Sequence, residues 1–171
     1  MSANTNNNVL LAVDVAPGEP MWHFSAAAEM ARDMIRDSVD HVVVLHVREF
    51  SVGRLVSMMR EHGGADGRRA VEEVVVGLRA AGVQANGQIR EADVGHVART
   101  ILDAAHEFDA RVIVLTAARR RVPLGSVARH LLHLTNVPVV IVQRPDVPLA
   151  AAPSAADLPP RFQPMGADIR D

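Results

Sequence analysis

The sequence predicts an α/β fold built around a parallel β-sheet. Four short runs of β-branched and aliphatic residues are continuous rather than alternating: Val9–Val13, Val42–Val47, Val112–Leu115 and Val139–Val142. Continuous runs are typical of strands covered on both faces, as in parallel sheets. Segments with helical periodicity separate the runs. Strands and helices that alternate at this spacing indicate parallel strands joined by right-handed crossovers.

The composition narrows the class of protein. A chain of 171 residues is the size of one ordinary domain with a sizeable core. Its formal net charge of −2 gives no overall basic field to attract nucleic acid. With no Tyr and one Trp, it also has few aromatic rings to stack on bases, so we expect no nucleic-acid partner. The lack of Cys excludes disulfides, thiolate metal sites and Cys nucleophiles. Because there is neither an apolar signal segment nor a run of membrane-spanning length, we expect a cytoplasmic protein.

The first half of the chain predicts two strands and three helices. Strand one leads into Asp14, which places a carboxylate at the carboxyl edge of the sheet. Apolar periodicity predicts a helix over 22–37, followed by strand two, and a short helix over 55–62 that a break at Gly63-Gly64 would end. The next helix is predicted from about Gly67 to Ala81, with Gly82 after its last turn, and its core face consists of Val71, Val74, Val75 and Leu78.

The second half predicts three strands and two helices. The alternating segment Val83–Arg90 is typical of an edge strand, and a solvated loop over 90–93 follows it. Asp93 suits the N-cap of a helix that turns Val97, Ile101, Ala104, Ala105 and Phe108 to the core. Between the last two strands, Gly125-Ser126 opens a further helix, whose first backbone N–H groups form an anion site.

The chain divides into three parts by composition. Residues 1–8 form a polar arm, 9–144 the α/β domain, and 145–171 a Pro- and Ala-rich tail that cannot extend the sheet. Two interpretations of the tail stay open. It lacks fixed structure, or it docks on a protein partner or on its own domain through its few apolar residues, which are Phe162, Met165 and Ile169.

Three segments together resemble the universal stress protein family over Val9–Gln143: VLLAVD at the start, VVVLHV in strand two and LGSVARHLLHLTNVPVVIV at the end. The resemblance implies a Rossmann-like sheet of five parallel strands in the order 3-2-1-4-5. It also implies a homodimer paired through the last strand, Val139–Val142. The family contains members that bind nucleotides and members that do not, so ATP or AMP is the cofactor that the resemblance suggests.

The family's nucleotide motif, Gly-x2-Gly-x9-Gly-Ser/Thr, runs from strand four into the next helix. Its glycines let the backbone approach the phosphates closely. Gly125, Ser126 and Val127 match the end of the motif. By the same resemblance, Asp14 matches the carboxylate that contacts the nucleoside, Val47 lines the adenine side, and Ala12 belongs to the strand-one part of the site.

The first two glycines of the motif have no counterpart here. Thr116 stands where the first should be, and only eight residues separate it from Gly125, where the motif has twelve. The loop contains no Gly, and Pro123 removes an amide donor from it. The loop carries Arg119, Arg120 and Arg121, which either replace the missing amides with guanidinium contacts to phosphate or form a solvated turn.

Other candidate residues favour structural roles. Ser126 lacks the surroundings of a nucleophile, and His130 and His133 share a helix face without a third metal ligand, so we expect no metal. His46 at the end of strand two is interpreted as structural. The sequence therefore predicts a non-enzymatic regulatory or binding protein that binds ATP weakly or not at all. The alternatives are an ATP- or AMP-binding member compensated by its arginines, and an adaptor that recruits a partner through its tail.

Overall fold

The structure, a computed structural model, describes residues 8–14, 24–36, 40–50, 61–117 and 125–143. Within these residues strands and helices alternate along the chain. The strands are β1 (Asn8–Ala12), β2 (Val42–Phe50), β3 (Ala85–Asp93), β4 (Ala110–Ala117) and β5 (Val139–Gln143). The helices are α1 (Ser25–Asp33), α2 (Glu61–Ala80), α3 (Val97–Glu107) and α4 (Ser126–Leu134).

The five strands form one parallel sheet in the order β3-β2-β1-β4-β5, which confirms the predicted fold and strand order. β1 lies at the centre and all five of its residues are buried. Among the described strands β3 and β5 are the two edges, as the alternating pattern of strand three predicts. Connections run outwards from β1 in both directions, so the chain reverses its direction of winding between β1 and β4.

Helices cover both faces of the sheet, because successive strand residues point to opposite sides. On one face, α1 and α2 pack on a core that includes Val9, Leu11, Val42 and Val44. On the other, α3 and α4 pack on a second core that includes Leu10, Ala12, Val43 and Leu45. This double coverage is the reason for the continuous apolar runs in the sequence.

The end of α2 has the predicted glycine turn. Gly82 has φ +81°, a conformation that a residue with a Cβ adopts at a cost. The backbone N–H of Gly82 donates to the Arg79 carbonyl at 2.9 Å, and the N–H of Val83 donates to the Leu78 carbonyl at 3.0 Å. These two bonds are those of a Schellman motif, and they direct the chain from α2 into β3.

Three predictions about helix boundaries are wrong. The helix predicted to begin at about Gly67 begins at Glu61. Gly63 and Gly64 do not break the chain, since both lie inside the 20-residue helix α2. Glycine costs about 1 kcal/mol per helix position relative to Ala, an amount that the buried face of α2 can offset. The first helix spans Ser25–Asp33, a shorter range than the predicted 22–37, part of which lies outside the described residues.

The predicted roles of Val83–Arg90 and Asp93 also need correction. The third strand begins at Ala85 and continues to Asp93, so the expected loop over 90–93 is a strand. Asp93 pairs with Phe50 in the ladder, and the residue at the N-cap of α3 is His96, which makes no side-chain cap hydrogen bond. Strand pairing along the full length of β2 therefore outweighs the local preference of Asp for a helix cap.

Candidate functional site

The candidate site lies at the carboxyl edge of the sheet, where β1 ends between β2 and β4. Ala12 is paired with both neighbouring strands, and Asp14 follows it as an exposed residue. Val47 is half-buried on β2 and packs on the α3–α4 side, and Thr116 is the next-to-last residue of β4. The fold thus brings these four predicted site residues to one edge, at the reversal of winding where open α/β sheets bind ligands.

Thr116 is the residue that the sequence predicts at the first glycine of the nucleotide motif. It is paired with Val142 of β5, so its backbone belongs to the sheet. Its hydroxyl oxygen is buried and has no hydrogen-bond partner in the described part of the chain. A side chain therefore fills space that a glycine would leave open.

The start of α4 presents backbone without a side-chain cap. Gly125 is the N-cap residue, with φ −56° and ψ 161°, and no side-chain cap hydrogen bond reaches the helix start from the described residues. A Cβ added to Gly125 would meet no atom of the described residues within 4 Å. Ser126 is exposed and Val127 packs partly on the α3–α4 core. Neither backbone conformation nor packing among the described residues therefore requires glycine at position 125.

The three arginines of the preceding loop cannot be placed. Arg119, Arg120 and Arg121 lie outside the described residues, as does the rest of 118–124. Their role at the site remains a prediction from the sequence.

On the other side of β1, the strands β2 and β3 extend well past its end. Their ladder joins nine residue pairs, from Val42–Ala85 to Phe50–Asp93. The extension carries an ion pair between Arg48 and Glu91 at 3.6 Å, and the Arg48 guanidinium lies 5.2 Å from the centre of the Phe50 ring. The sequence did not predict this extension of the β2–β3 ladder. A signal for it lies after Val47, since Arg48 and Phe50 supply the cation and the ring of these contacts.

A second missed feature is the environment of His46. The side chain is 6% exposed, and its Nδ1 lies 3.1 Å from the Val13 carbonyl oxygen. A carbonyl only accepts, so a hydrogen bond at this distance requires the tautomer with hydrogen on Nδ1. The opposite side of the ring faces Gly67 of α2, where an added Cβ would lie 2.5 Å from Nε2. The sequence predicts a structural role for His46, but it does not predict the contact with Val13, the residue before Asp14.

Comparison with known proteins places this geometry in a family. The model of the universal stress protein family matches residues 5–143, well over half of the chain. The chain belongs to the universal stress protein family. No curated protein matches it individually.

Solved structures of universal stress proteins share the fold. One from Archaeoglobus fulgidus is 22% identical, with a TM-score of 0.62 and coverage of 78% of this chain and 96% of that one. A structure of the universal stress protein from Archaeoglobus fulgidus in complex with dAMP is 21% identical, with a TM-score of 0.60 and coverage of 80% and 98%. An Arabidopsis thaliana family member with AMP bound is 19% identical, with a TM-score of 0.61 and coverage of 86% and 99%. At these identities the likeness establishes the fold.

Two further findings concern other classes of site in this universal stress protein. The described residues contain no group of three His, Cys, Asp or Glu side chains that could hold a metal ion, and His130 and His133 are both exposed on α4. No helix in the described ranges has the length and apolar character needed to cross a membrane.

Proposed function

We propose that this universal stress protein is a non-enzymatic regulatory binding protein that binds adenine nucleotides weakly or not at all. The observation that carries the proposal is Thr116. A side chain stands at the motif's first glycine, and the short connection to Gly125 contains no other glycine. Close approach of backbone amides to phosphate is what the motif's glycines permit, so their loss weakens the phosphate half of the site.

The nucleoside half of the site is retained. Asp14 is exposed at the edge, where its carboxylate can accept hydrogen bonds from hydroxyl or amino groups. Val47 offers a half-buried apolar surface beside it. Two family members were solved with AMP or dAMP, which makes adenine nucleotides the first ligands to test.

The test begins with the absorbance spectrum of the freshly purified protein. Since the chain has no Tyr and one Trp, bound adenine would be conspicuous against its weak absorbance. Thermal shift with ATP, AMP and cyclic AMP follows, because a ligand at a hundred times its dissociation constant adds about 2.7 kcal/mol of stability. We expect no copurified nucleotide and no shift at micromolar ligand. Copurified ATP, or a micromolar dissociation constant, would overturn the proposal.

A second candidate is a true ATP or AMP binder in which Arg119, Arg120 and Arg121 replace the missing amides. The uncapped start of α4 supports it, because exposed N–H groups at a helix start favour an anion. In this case, replacing the three arginines with Gln abolishes binding. If the triple variant binds as the wild type does, this candidate is excluded.

We also propose that the protein is a homodimer paired through Val139–Val142. β5 is an edge of the described sheet, and its four aliphatic residues are only half-buried. A strand edge that faces solvent usually carries charged residues, and this one carries none between Val139 and Val142. Ile141 is the one of the four that packs on neither core, so Ile141→Lys should split the dimer without unfolding the protomer. Val76→Lys on α2, at an exposed position, is the control. Sedimentation that shows a monomeric wild type would contradict the proposal.

The adaptor hypothesis concerns the tail, which lies outside the described residues. It predicts that deletion of 146–171 abolishes capture of a protein partner while the melting temperature of the α/β domain stays unchanged. An unchanged capture would exclude the tail as the recruiting segment.

A further inference from the structure

The ladder between β1 and β2 ends in a side-chain hydrogen bond. The Val13 N–H donates to the Leu45 carbonyl at 2.9 Å, which continues the register of β1 on β2 by one residue. In a parallel ladder the next bond would come from the Val47 N–H to the Val13 carbonyl. At that carbonyl the structure has the imidazole Nδ1 of His46, at 3.1 Å.

This bond fixes the peptide that leads directly into Asp14. The Val13 side chain is 4% exposed and held in the α1–α2 core, so the residue is restrained by its side chain and by both backbone polar groups. Asp14 is exposed one residue later. A carboxylate on a chain end held in this way has a restricted range of positions, which is what recognition of a small ligand requires.

The imidazole is itself held from the opposite side. Gly67 of α2 lies so close to the ring that an added Cβ would be 2.5 Å from Nε2. The ring therefore fills the space between α2 and the end of β1. A second glycine, Gly87 on β3, also approaches α2 closely, and an added Cβ there would be 2.5 Å from Val71 Cγ1. Gly87 pairs with Val44, two residues before His46 on β2, and its close contact is with Val71 instead of the ring.

We propose that His46 is a positioning residue for Asp14. Its Nδ1–H donates to the Val13 carbonyl and sets the place of the Asp14 carboxylate at the nucleoside half of the site, and contact with Gly67 keeps the ring in the donating orientation. The proposal rests on the proposed function in one respect, which is that Asp14 faces the nucleoside.

The first measurement is the tautomer of His46 in the full-length, ¹⁵N-labelled protein. Nitrogen chemical shifts distinguish a ring with hydrogen on Nδ1 from one with hydrogen on Nε2. We expect the Nδ1–H form with slow exchange against solvent. The Nε2–H form would overturn the proposal, because a bare Nδ1 cannot donate to a carbonyl.

The second measurement compares two substitutions of His46 by NMR titration with AMP up to millimolar concentration. His46→Leu removes the donor, whereas His46→Asn keeps an N–H at nearly the position of Nδ1. We expect His46→Leu to weaken AMP binding about tenfold, the size of one lost hydrogen bond, and His46→Asn to stay within about threefold of the wild type. If both variants weaken binding equally while the melting temperature falls in parallel, His46 has a merely structural role.

The two glycines supply matched controls for the contact with α2. Gly67→Ala pushes on His46, and Gly87→Ala pushes on Val71 with the same nominal overlap. Gly67→Ala should shift the Asp14 NMR signals and weaken AMP binding, while Gly87→Ala should change only stability. An equal effect of both variants on Asp14 would overturn the proposed contact.

The outcome stays separable from that of the proposed function. If the wild type shows no AMP response at all, the backbone amide and side-chain carboxyl signals of Asp14 in the ligand-free protein decide the question. His46→Leu must move them and His46→Asn must restore them. If neither variant moves them, the positioning role is wrong whatever the protein binds.

Discussion

The two sides of β1 at the carboxyl edge are built in different ways. On the β2–β3 side, nine paired residues continue beyond the end of β1, and side chains join the strands and the following turn. There the Gly95 N–H donates to Glu49 at 2.7 Å, and His46 bonds to Val13. On the β4–α4 side, Thr116 has a buried hydroxyl without a partner among the described residues, and α4 begins without a side-chain cap.

The difference shows which half of the site is organised in advance. Hydrogen bonds from fixed side chains hold the edge beside β2, where we propose that a nucleoside binds, so such a ligand would not have to order it. In the described part of the chain, the proposed phosphate half consists of the backbone N–H groups at the start of α4. A protein of this construction should recognise a nucleoside better than it recognises phosphates.

The largest effect on stability is expected from a substitution that weakens the packing of α4 on the sheet. This helix has one fully buried residue, Leu131, whereas α3 buries five. Leu131→Ala should lower the free energy of unfolding by about 3 kcal/mol, because it leaves a cavity under a helix with no other buried side chain. Urea denaturation followed by circular dichroism measures the change.

Leu132→Ala is the matched control for α4, because this neighbouring side chain is 46% exposed. It should change the free energy of unfolding by less than about 0.5 kcal/mol. Equal losses in the two variants would mean that α4 presents a different face to the core.

Substitutions at Asp14 and Ser126 test whether the two proposed halves of the site contribute unequally to AMP binding. Asp14→Ala should weaken AMP binding about tenfold, since a hydrogen bond to a charged group is lost, while Ser126→Ala should change it by about twofold or less. Isothermal titration or NMR titration measures both. Asp103→Ala, an exposed carboxylate on α3, controls for the change in net charge. A larger loss with Ser126→Ala would show an intact phosphate half.

Glycines at the ends of two helices give a smaller contrast. Gly82, on the way from α2 to β3, has a positive φ, so Gly82→Ala should cost about 1 kcal/mol of stability. Thermal and urea unfolding measure the loss. A neutral result would mean that the Schellman turn relaxes when a Cβ is present.

The smallest expected effect is at Gly125, which opens α4 with a negative φ and has no described residue where an added Cβ would lie. Gly125→Ser should raise the free energy of unfolding by a few tenths of a kcal/mol, because a serine hydroxyl can cap the helix start. A loss above about 1 kcal/mol would contradict the described geometry. The same variant tests the ligand, since a Ser that stabilises the helix while weakening AMP binding would show that the ligand approaches the backbone at this point.

Much of the fold follows from local patterns in the sequence. The positions of four of the five strands follow from continuous apolar runs, the end of α2 from Gly82, and the start of α4 from Gly125-Ser126, and these are confirmed. These features depend on residues close together in the chain. The strand order and the family followed from a resemblance, carried by motifs such as VLLAVD and LGSV, and are confirmed as well.

The errors have a common cause. Gly63-Gly64 and Asp93 carry strong local signals, for a break and for a cap, and both signals were outweighed by packing and pairing with distant segments. The roles of Asp14, Val47 and Thr116 toward a ligand stay predictions, although the fold brings them to one edge.

The sequence by itself determined which residues face the core, where the central strands lie, and that the nucleotide loop lacks glycine, because these depend on composition and on periods of two or four residues. Only the tertiary structure decided that β2 and β3 pair over their full length, that the Thr116 hydroxyl is buried, and that the His46 ring meets Val13, 33 positions away. Such contacts are set by the register of the strands and by the position at which α2 packs on the sheet. Both depend on many residues acting together.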